Sequence, residues 1–257
     1  MIFDTHTHLN VEEFCGIEDE ILERAKNNDV KRIAVVGFDA GTIEKAIELS
    51  EQYKEVFAII GWHPTEAGSY SDEIEQWLLP LYKLRKVIAV GEIGLDYHWM
   101  KDAKDVQEHV FRRQIQMAKR LHLPISIHTR DALEDTYNIL KDEDVRDIGG
   151  IMHSFSGSLE WAEKFIDLGL HISFSGVVTF KNAKELQEVA TKIPIEKILV
   201  ETDAPYLTPH PFRGKRNETG YTRYVVEKIA ELRGTTPEEI ATITTENANT
   251  LFGLEEQ

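Results

Sequence analysis

The chain opens MIFDTHTHLN (residues 1–10), an apolar Ile2–Phe3 pair followed closely by two histidines one residue apart, His6 and His8. Side chains at i and i+2 of a strand point to the same side. A strand over Ile2–His6 would therefore present both imidazoles together at its C-terminal end, where they can bind one ion. The fold depends on whether the rest of the chain repeats this arrangement, and it does. Short β-branched runs recur as IFDTH (2–6), KRIAVVG (31–37), VFAIIGWH (56–63), VIAVGEIG (87–94), PISIHTR (124–130), GGIMHS (149–154), HISFSG (171–176) and KILVETD (197–203). They are mostly continuous apolar segments, as expected of parallel strands covered by helices. Between them lie charged stretches such as IEDEILERAKNN (17–28), TIEKAIELSEQY (42–53), VQEHVFRRQIQMAKRLH (106–122) and LEWAEKFIDLG (159–169), each with one apolar stripe. Eight strands, spaced at about one βα unit of ~30 residues, predict a single closed (β/α)8 TIM barrel over residues 1–257, favoured over a doubly wound open sheet. No linker, low-complexity tract or repeat divides it.

Composition agrees. Hydrophobic residues make up 42% and charged residues 29% of the 257, enough apolar content for one packed core. No apolar run approaches the ~18 residues of a membrane span, and residues 1–20 lack the basic-then-apolar pattern of a secretory signal. The single cysteine, Cys15, excludes an intrachain disulfide. These features predict a soluble, cytoplasmic protein with no membrane partner. Net charge is −16, from 29 Lys plus Arg against 45 Asp plus Glu. Such a balance argues against broad nucleic-acid binding, which depends on neutralising phosphates. A polyanionic substrate would need a local basic patch or a metal cluster.

The ten histidines supply the cluster. His6 and His8 fall at the end of the first predicted strand, His63 of the third, His128 of the fifth and His153 of the sixth. Glu92 ends the fourth and Asp203 the eighth. In a barrel all strand C-termini meet on one face, where active sites are built. This nitrogen–oxygen donor set suits Zn²⁺, Mn²⁺, Co²⁺ or Ni²⁺, with Mg²⁺ accessible. It exceeds one tetrahedral site and is better used by two divalent ions ~3.5–4 Å apart sharing a carboxylate, with Glu92 central among the strands. Asp4 shares strand parity with His6, and Glu201 with Asp203, so both carboxylates are candidates to orient ligands or tune the nucleophile, Glu201 in a catalytic role. His109, His122 and His171 lie on helices or at the opposite face and are read as structural. His98 and His210 fall in loops on the same face as the cluster.

The segments DTHTHL, GWHP, GEIGLDY, PISIHTRDA, MHSFSG, ISFSG, ETDAPYLTP and RGKRNE run in order from residue 4 to residue 218. Together they resemble the TatD family of metal-dependent hydrolases, the TatD-like deoxyribonucleases. The resemblance implies His6, His8 and Asp203 on one metal, His128 and His153 on the second, and Glu92 between them. Relatives in the wider superfamily often carry a carbamylated lysine where this chain has Glu92, which favours the TatD branch. One departure is Thr219, where the family often has proline after RNE; it predicts a looser loop after the eighth strand.

The same loop addresses the charge. PHPFRGKRNE gathers Arg213, Lys215 and Arg216 near the predicted metal face, with Phe212 to stack on a base and Arg130 just past His128. The expected activity, by resemblance, is a metal-dependent phosphodiesterase that trims DNA from its 3′ end. A metal-bridged hydroxide would attack phosphorus, Asp203 would act as general base, and His63 would contact the scissile phosphate or leaving group. Deacylation of D-aminoacyl-tRNA is the alternative on the same metals, Mg²⁺, Mn²⁺ or Zn²⁺. A non-enzymatic metal-bound scaffold is a third and lesser reading.

Overall fold

A computed structural model describes residues 1–254. Eight strands, β1 (Ile2–Thr7), β2 (Val30–Gly37), β3 (Val56–Ile60), β4 (Val87–Asp96), β5 (Ile125–Arg130), β6 (Gly150–Met152), β7 (Leu170–Phe174) and β8 (Ile198–Val200), pair in sequence order. Every ladder is parallel. Between them run α1 (Glu18–Asn27), α2 (Ala40–Gln52), α3 (Asp72–Leu81), α4 (Lys104–Leu121), α5 (Leu133–Asp142), α6 (Leu159–Asp167) and α7 (Lys184–Lys192). Two helices, α8 (Thr222–Arg233) and α9 (Pro237–Phe252), follow β8. The barrel expected from the eight apolar runs is the fold observed. No helix among the described residues is long and apolar enough to cross a membrane.

Alternate residues of each strand serve two cores. Ile33, Val35, Ala58 and Ile60 face the helices as part of the larger apolar cluster, while Ala34, Val36 and Ile59 join Phe3, Ile151 and Leu199 in a smaller one. The smaller cluster fills the barrel interior, and Phe252 at the end of α9 plugs its lower mouth, its ring centroid 5.7 Å from that of Phe3. With the interior solid below, only the C-terminal rim is left for a site.

The barrel closes at that rim, between β1 and the segment just past β8. The Asp203 amide donates to the His6 carbonyl at 2.9 Å and the His8 amide to the Ala204 carbonyl at 2.8 Å. Asp4, fully buried, clasps the seam: it accepts from the Thr202 amide (2.9 Å), the Thr202 hydroxyl (2.6 Å) and the Thr219 hydroxyl (2.5 Å). Burial pushes the Asp4 carboxyl up to about 7 even though these bonds pull the other way. Two expectations change here. Asp4 touches His6 only through its backbone N–H, at 3.4 Å, so it does not orient the ring. Thr219 is buried and bonded to Asp4, so its loop is tied down by a hydroxyl that proline lacks, and is not loosened.

Another difference concerns β4. Glu92 does not end this strand, which continues to Asp96, with a register irregularity between Val90 and Ile93 where it pairs with β5. Beyond it Gly94 pairs with His128; Gly94 has φ +144°, and a Cβ there would fall 1.9 Å from the His128 carbonyl oxygen. Only glycine lets β5 come this close.

His171, near the start of β7, is half-buried, and its Nδ1 has no hydrogen-bond partner. Burial, with Lys197 nearby, pushes its pKa down to about 4. The folded state therefore holds a neutral ring while the unfolded chain takes up a proton below the ordinary value of 6.5. The resulting stability is complete above about pH 6.5 and is lost as pH falls towards 4, by roughly 3 kcal/mol at most. Urea unfolding across this window should show a flatter pH dependence for His171→Asn than for the parent. Identical slopes would contradict the assignment.

Candidate metal centre

Glu92, 4% exposed, sits at the floor of a cleft of about 850 Å³ on the C-terminal rim. Its two oxygens face different imidazoles. Oε2 lies 3.5 Å from His6 Nε2 and 3.8 Å from His8 Nε2. Oε1 lies 2.8 Å from His128 Nδ1, 3.1 Å from His153 Nε2 and 3.5 Å from His63 Nε2. Asp203 Oδ1 joins the first side, 3.3 Å from His8 Nε2 and 3.7 Å from His6 Nε2. The barrel thus brings together His6, His8, His63, Glu92, His128, His153 and Asp203.

The first side fits a cation on its donor chemistry. His6 Nε2 and His8 Nε2 face one another at 3.3 Å, and these nitrogens lie 3.3–3.8 Å from Glu92 Oε2 and Asp203 Oδ1. Four ligands ~2.1 Å from a tetrahedral centre stand ~3.4 Å apart. The His8 ring is aimed by its other nitrogen, Nδ1, which lies 3.1 Å from the Val36 carbonyl. On the second side, the donor atoms of His63, Glu92 and His128 gather within 4.8 Å of one another. There each imidazole nitrogen not facing Glu92 meets its own partner. His128 Nε2 lies 2.9 Å from Asp96 Oδ2, and His153 Nδ1 lies 3.0 Å from Glu201 Oε1. A ligating histidine is commonly set this way, with its free N–H on a carboxylate. Within the cluster and the carboxylate behind it, His6 Nδ1 and Glu201 Oε2 are buried without a hydrogen-bond partner. A third set of donors joins His6, His153 and Glu201 within 4.8 Å.

The electrostatics are those of a cluster held by opposite charge. Burial opposes ionisation of Glu92, but the imidazoles of His153 and His63 and the bonds from His128 and His153 hold its carboxyl well below the usual range. Asp203 is likewise lowered, against burial, by His8, His153 and His6. Burial works against charge on His153, yet Glu92 and Glu201 raise it well above an ordinary histidine. His8 and His128 are raised by their carboxylates despite burial, whereas burial dominates at His6 and His63 and lowers both.

The remaining candidates separate. Arg130 lines the cleft. Glu201 is fully buried behind His153, where it also accepts from the Ser154 amide at 2.8 Å, a position suited to orienting a ligand and closed to substrate. Phe212, Arg213, Lys215 and Arg216 do not line the cleft. Phe212 stacks on Tyr221 at 4.6 Å and 11°, Arg213 lies over Phe180 at 4.0 Å, Lys215 over Phe212 at 5.7 Å and Arg216 over Phe14 at 5.1 Å. Aromatic contacts thus tack this basic loop to the rim beside the cleft. His98 faces Asp131 at 3.4 Å, and His210 packs edge-on against Phe180; neither lines the cleft.

Asp96 is the residue that sequence reasoning missed. It is 1% exposed, and its Oδ1 accepts from the His98 and Trp99 amides at 3.0 and 2.9 Å while Oδ2 faces His128. The parity that singled out Asp4 and Glu201 would have found it four residues beyond Glu92, within the GEIGLDY segment.

The model of the TatD related DNase family matches residues 3–253. An uncharacterized metal-dependent hydrolase of Bacillus subtilis, YabD, is 54% identical over 99% of this chain and 100% of its own. The 3′-5′ ssDNA/RNA exonuclease TatD of Salmonella typhimurium is 34% identical over 98% of both chains. Among solved structures, the TatD homolog YJJV of Escherichia coli superposes with a TM-score of 0.90 at 34% identity, covering 98% of each chain.

Replacing Asp96 by asparagine keeps an acceptor for the Trp99 amide but turns a donor group towards His128. Asp96→Asn should weaken binding of one divalent ion by about 10–100-fold and leave the other unchanged, read by chelator competition. Unaltered affinity for both ions would show that Asp96 does not support the second donor set.

Proposed function

The chain belongs to the TatD-related DNase family, and from that premise we propose that it is a two-metal phosphodiesterase removing nucleotides from the 3′ end of DNA. The observation that carries the reading is Glu92, whose two oxygens face separate imidazole sets at the floor of one open cleft. The name borne by the Salmonella relative supports both the substrate class and the polarity. His6, His8, Asp203 and Glu92 would hold one divalent ion, and Glu92, His128 and His153, flanked by His63, the other. When bound, Mg²⁺, Mn²⁺ or Zn²⁺ supplies charge stabilisation at the phosphoryl oxygens and an acidified water at neutral pH.

The chain's own residues do the rest. The Asp203 side chain is 15% exposed, so it reaches the cleft, and its lowered pKa keeps it a carboxylate able to take the proton of the attacking water. His63 is preset to donate. Its Nδ1 accepts from the Thr65 amide at 3.2 Å, which leaves the proton of the neutral ring on Nε2, the atom turned towards Glu92 and the cleft. That N–H is placed to bond a phosphoryl or leaving-group oxygen. Arg130 adds a cation to the wall, and Arg213, Lys215 and Arg216 extend positive charge along the adjoining rim. Local charge of this kind reconciles a polyanionic substrate with a net charge of −16.

The test is turnover by chelated protein given 5′- and 3′-labelled single-stranded oligonucleotides, with Mg²⁺, Mn²⁺ or Zn²⁺ added back singly. Metal-restored release of nucleotides from the 3′ end is expected. Asp203→Asn should lower kcat by about 10²–10⁴-fold, and His63→Asn by about tenfold or more. No release with ions demonstrably bound would overturn the reading and bring D-aminoacyl-tRNA esters forward.

A further inference from the structure

Trp99 and Tyr206 are the only exposed aromatic side chains among the described residues, at 62% and 54%, and both line the cleft over the donor cluster. The other exposed large apolar side chains, Met1, Leu84, Met100 and Val106, do not line it. A fold that shelters the rest of its aromatic rings leaves two in water at one place. Exposed rings grouped around a polar site mark a ligand surface.

Their positions are complementary. Trp99 stands on the loop between β4 and α4, held by the bond from its amide to Asp96, the carboxylate that also faces His128. Tyr206 follows β8, on the opposite side of the ring of strands, its ring centroid 6.4 Å from that of His8. Each aromatic face thus adjoins one of the two donor sets, and Glu92 lies between them. The Arg130 guanidinium lies over the Trp99 ring, 5.7 Å from its centroid, and has no carboxylate partner among the described residues. The group that fits is planar and apolar, is repeated on both sides of an anion, and carries further negative charge next to one plane. That is the repeating unit of a nucleic-acid strand.

We propose that Trp99 and Tyr206 are stacking faces for the nucleobases on either side of the phosphodiester held at the cluster. What lies between the rings rests on the phosphodiesterase reading above. A duplex end keeps its bases paired and stacked on one another, and must unstack before either ring is engaged. The role expected of Phe212 passes to these two residues, because Phe212 already stacks on Tyr221.

The experiment measures binding by fluorescence anisotropy on metal-restored protein. The probes are a single-stranded oligonucleotide with cleavage-resistant 3′ phosphorothioates and a strand of equal length whose two 3′-terminal residues are abasic. The parent should prefer the base-containing strand by at least tenfold. Trp99→Ala and Tyr206→Ala should each remove on the order of tenfold of that preference without changing affinity for the abasic strand, and Trp99→Phe and Tyr206→Phe should retain most of it. Equal affinity of the parent for both strands, or alanine variants that weaken both strands alike, would overturn the proposal. Anisotropy needs no turnover, so a parent that cleaves nothing would sink the activity and not the stacking. Cleavage with undiminished base preference in the alanine variants would sink the stacking and not the activity.

Discussion

One carboxylate, Glu92, faces five imidazoles at 2.8–3.8 Å while almost wholly buried. A buried charge is tolerated only with partners, and here the partners come from β1 and β5 and from the segments just past β1, β3 and β6. Each must arrive at the same height for the cluster to exist. The register irregularity before Ile93 and the close approach at Gly94 set Glu92 among the imidazoles and bring β5 alongside. The seam between β1 and β8 does the same for Asp203. Its amide bonds to His6, and Asp4 clasps Thr202 beside it, so the ligand is placed by the step that closes the barrel.

The donor set also bears on how an acidic protein would accommodate the anionic substrate proposed for it. Under the proposed function, attraction need not come from the protein's overall field: divalent ions at the donor cluster and the Arg130 and Lys101 side chains in the cleft would supply it locally. Elsewhere many of its Lys and Arg side chains are matched to carboxylates, as in Arg24 with Glu218 and Arg113 with Asp72 and Glu75. Binding is therefore expected to be local to the cleft and weak over the remaining surface.

Much of this was legible in the sequence. The eight apolar runs are the eight strands, and the residues at their ends converge because a parallel barrel leaves no other place for them. What could not be read depended on local departures from regular strand geometry and on packing between loops. The apolar run of the fourth strand ends at Gly94 in the sequence, whereas the strand itself continues to Asp96. Asp96 shares parity with Glu92 but lies beyond the apolar run. Thr219 stands in the sequence where proline is common, and its partner Asp4 lies 215 residues away. Nothing in the sequence shows that the Phe212 ring is already covered by Tyr221. The exposure of Trp99 and Tyr206 is likewise not legible, since it depends on where the other rings find their places.

On this reading Glu92 joins two cation sites. A crystal of the protein loaded with Mn²⁺ or Zn²⁺, measured at the metal's absorption edge, tests it most directly. Two anomalous peaks are expected in the cleft, each within bonding distance of a different oxygen of Glu92, one shared with His6, His8 and Asp203 and the other with His128 and His153. A single peak, or two ions that leave Glu92 unbound, would contradict it.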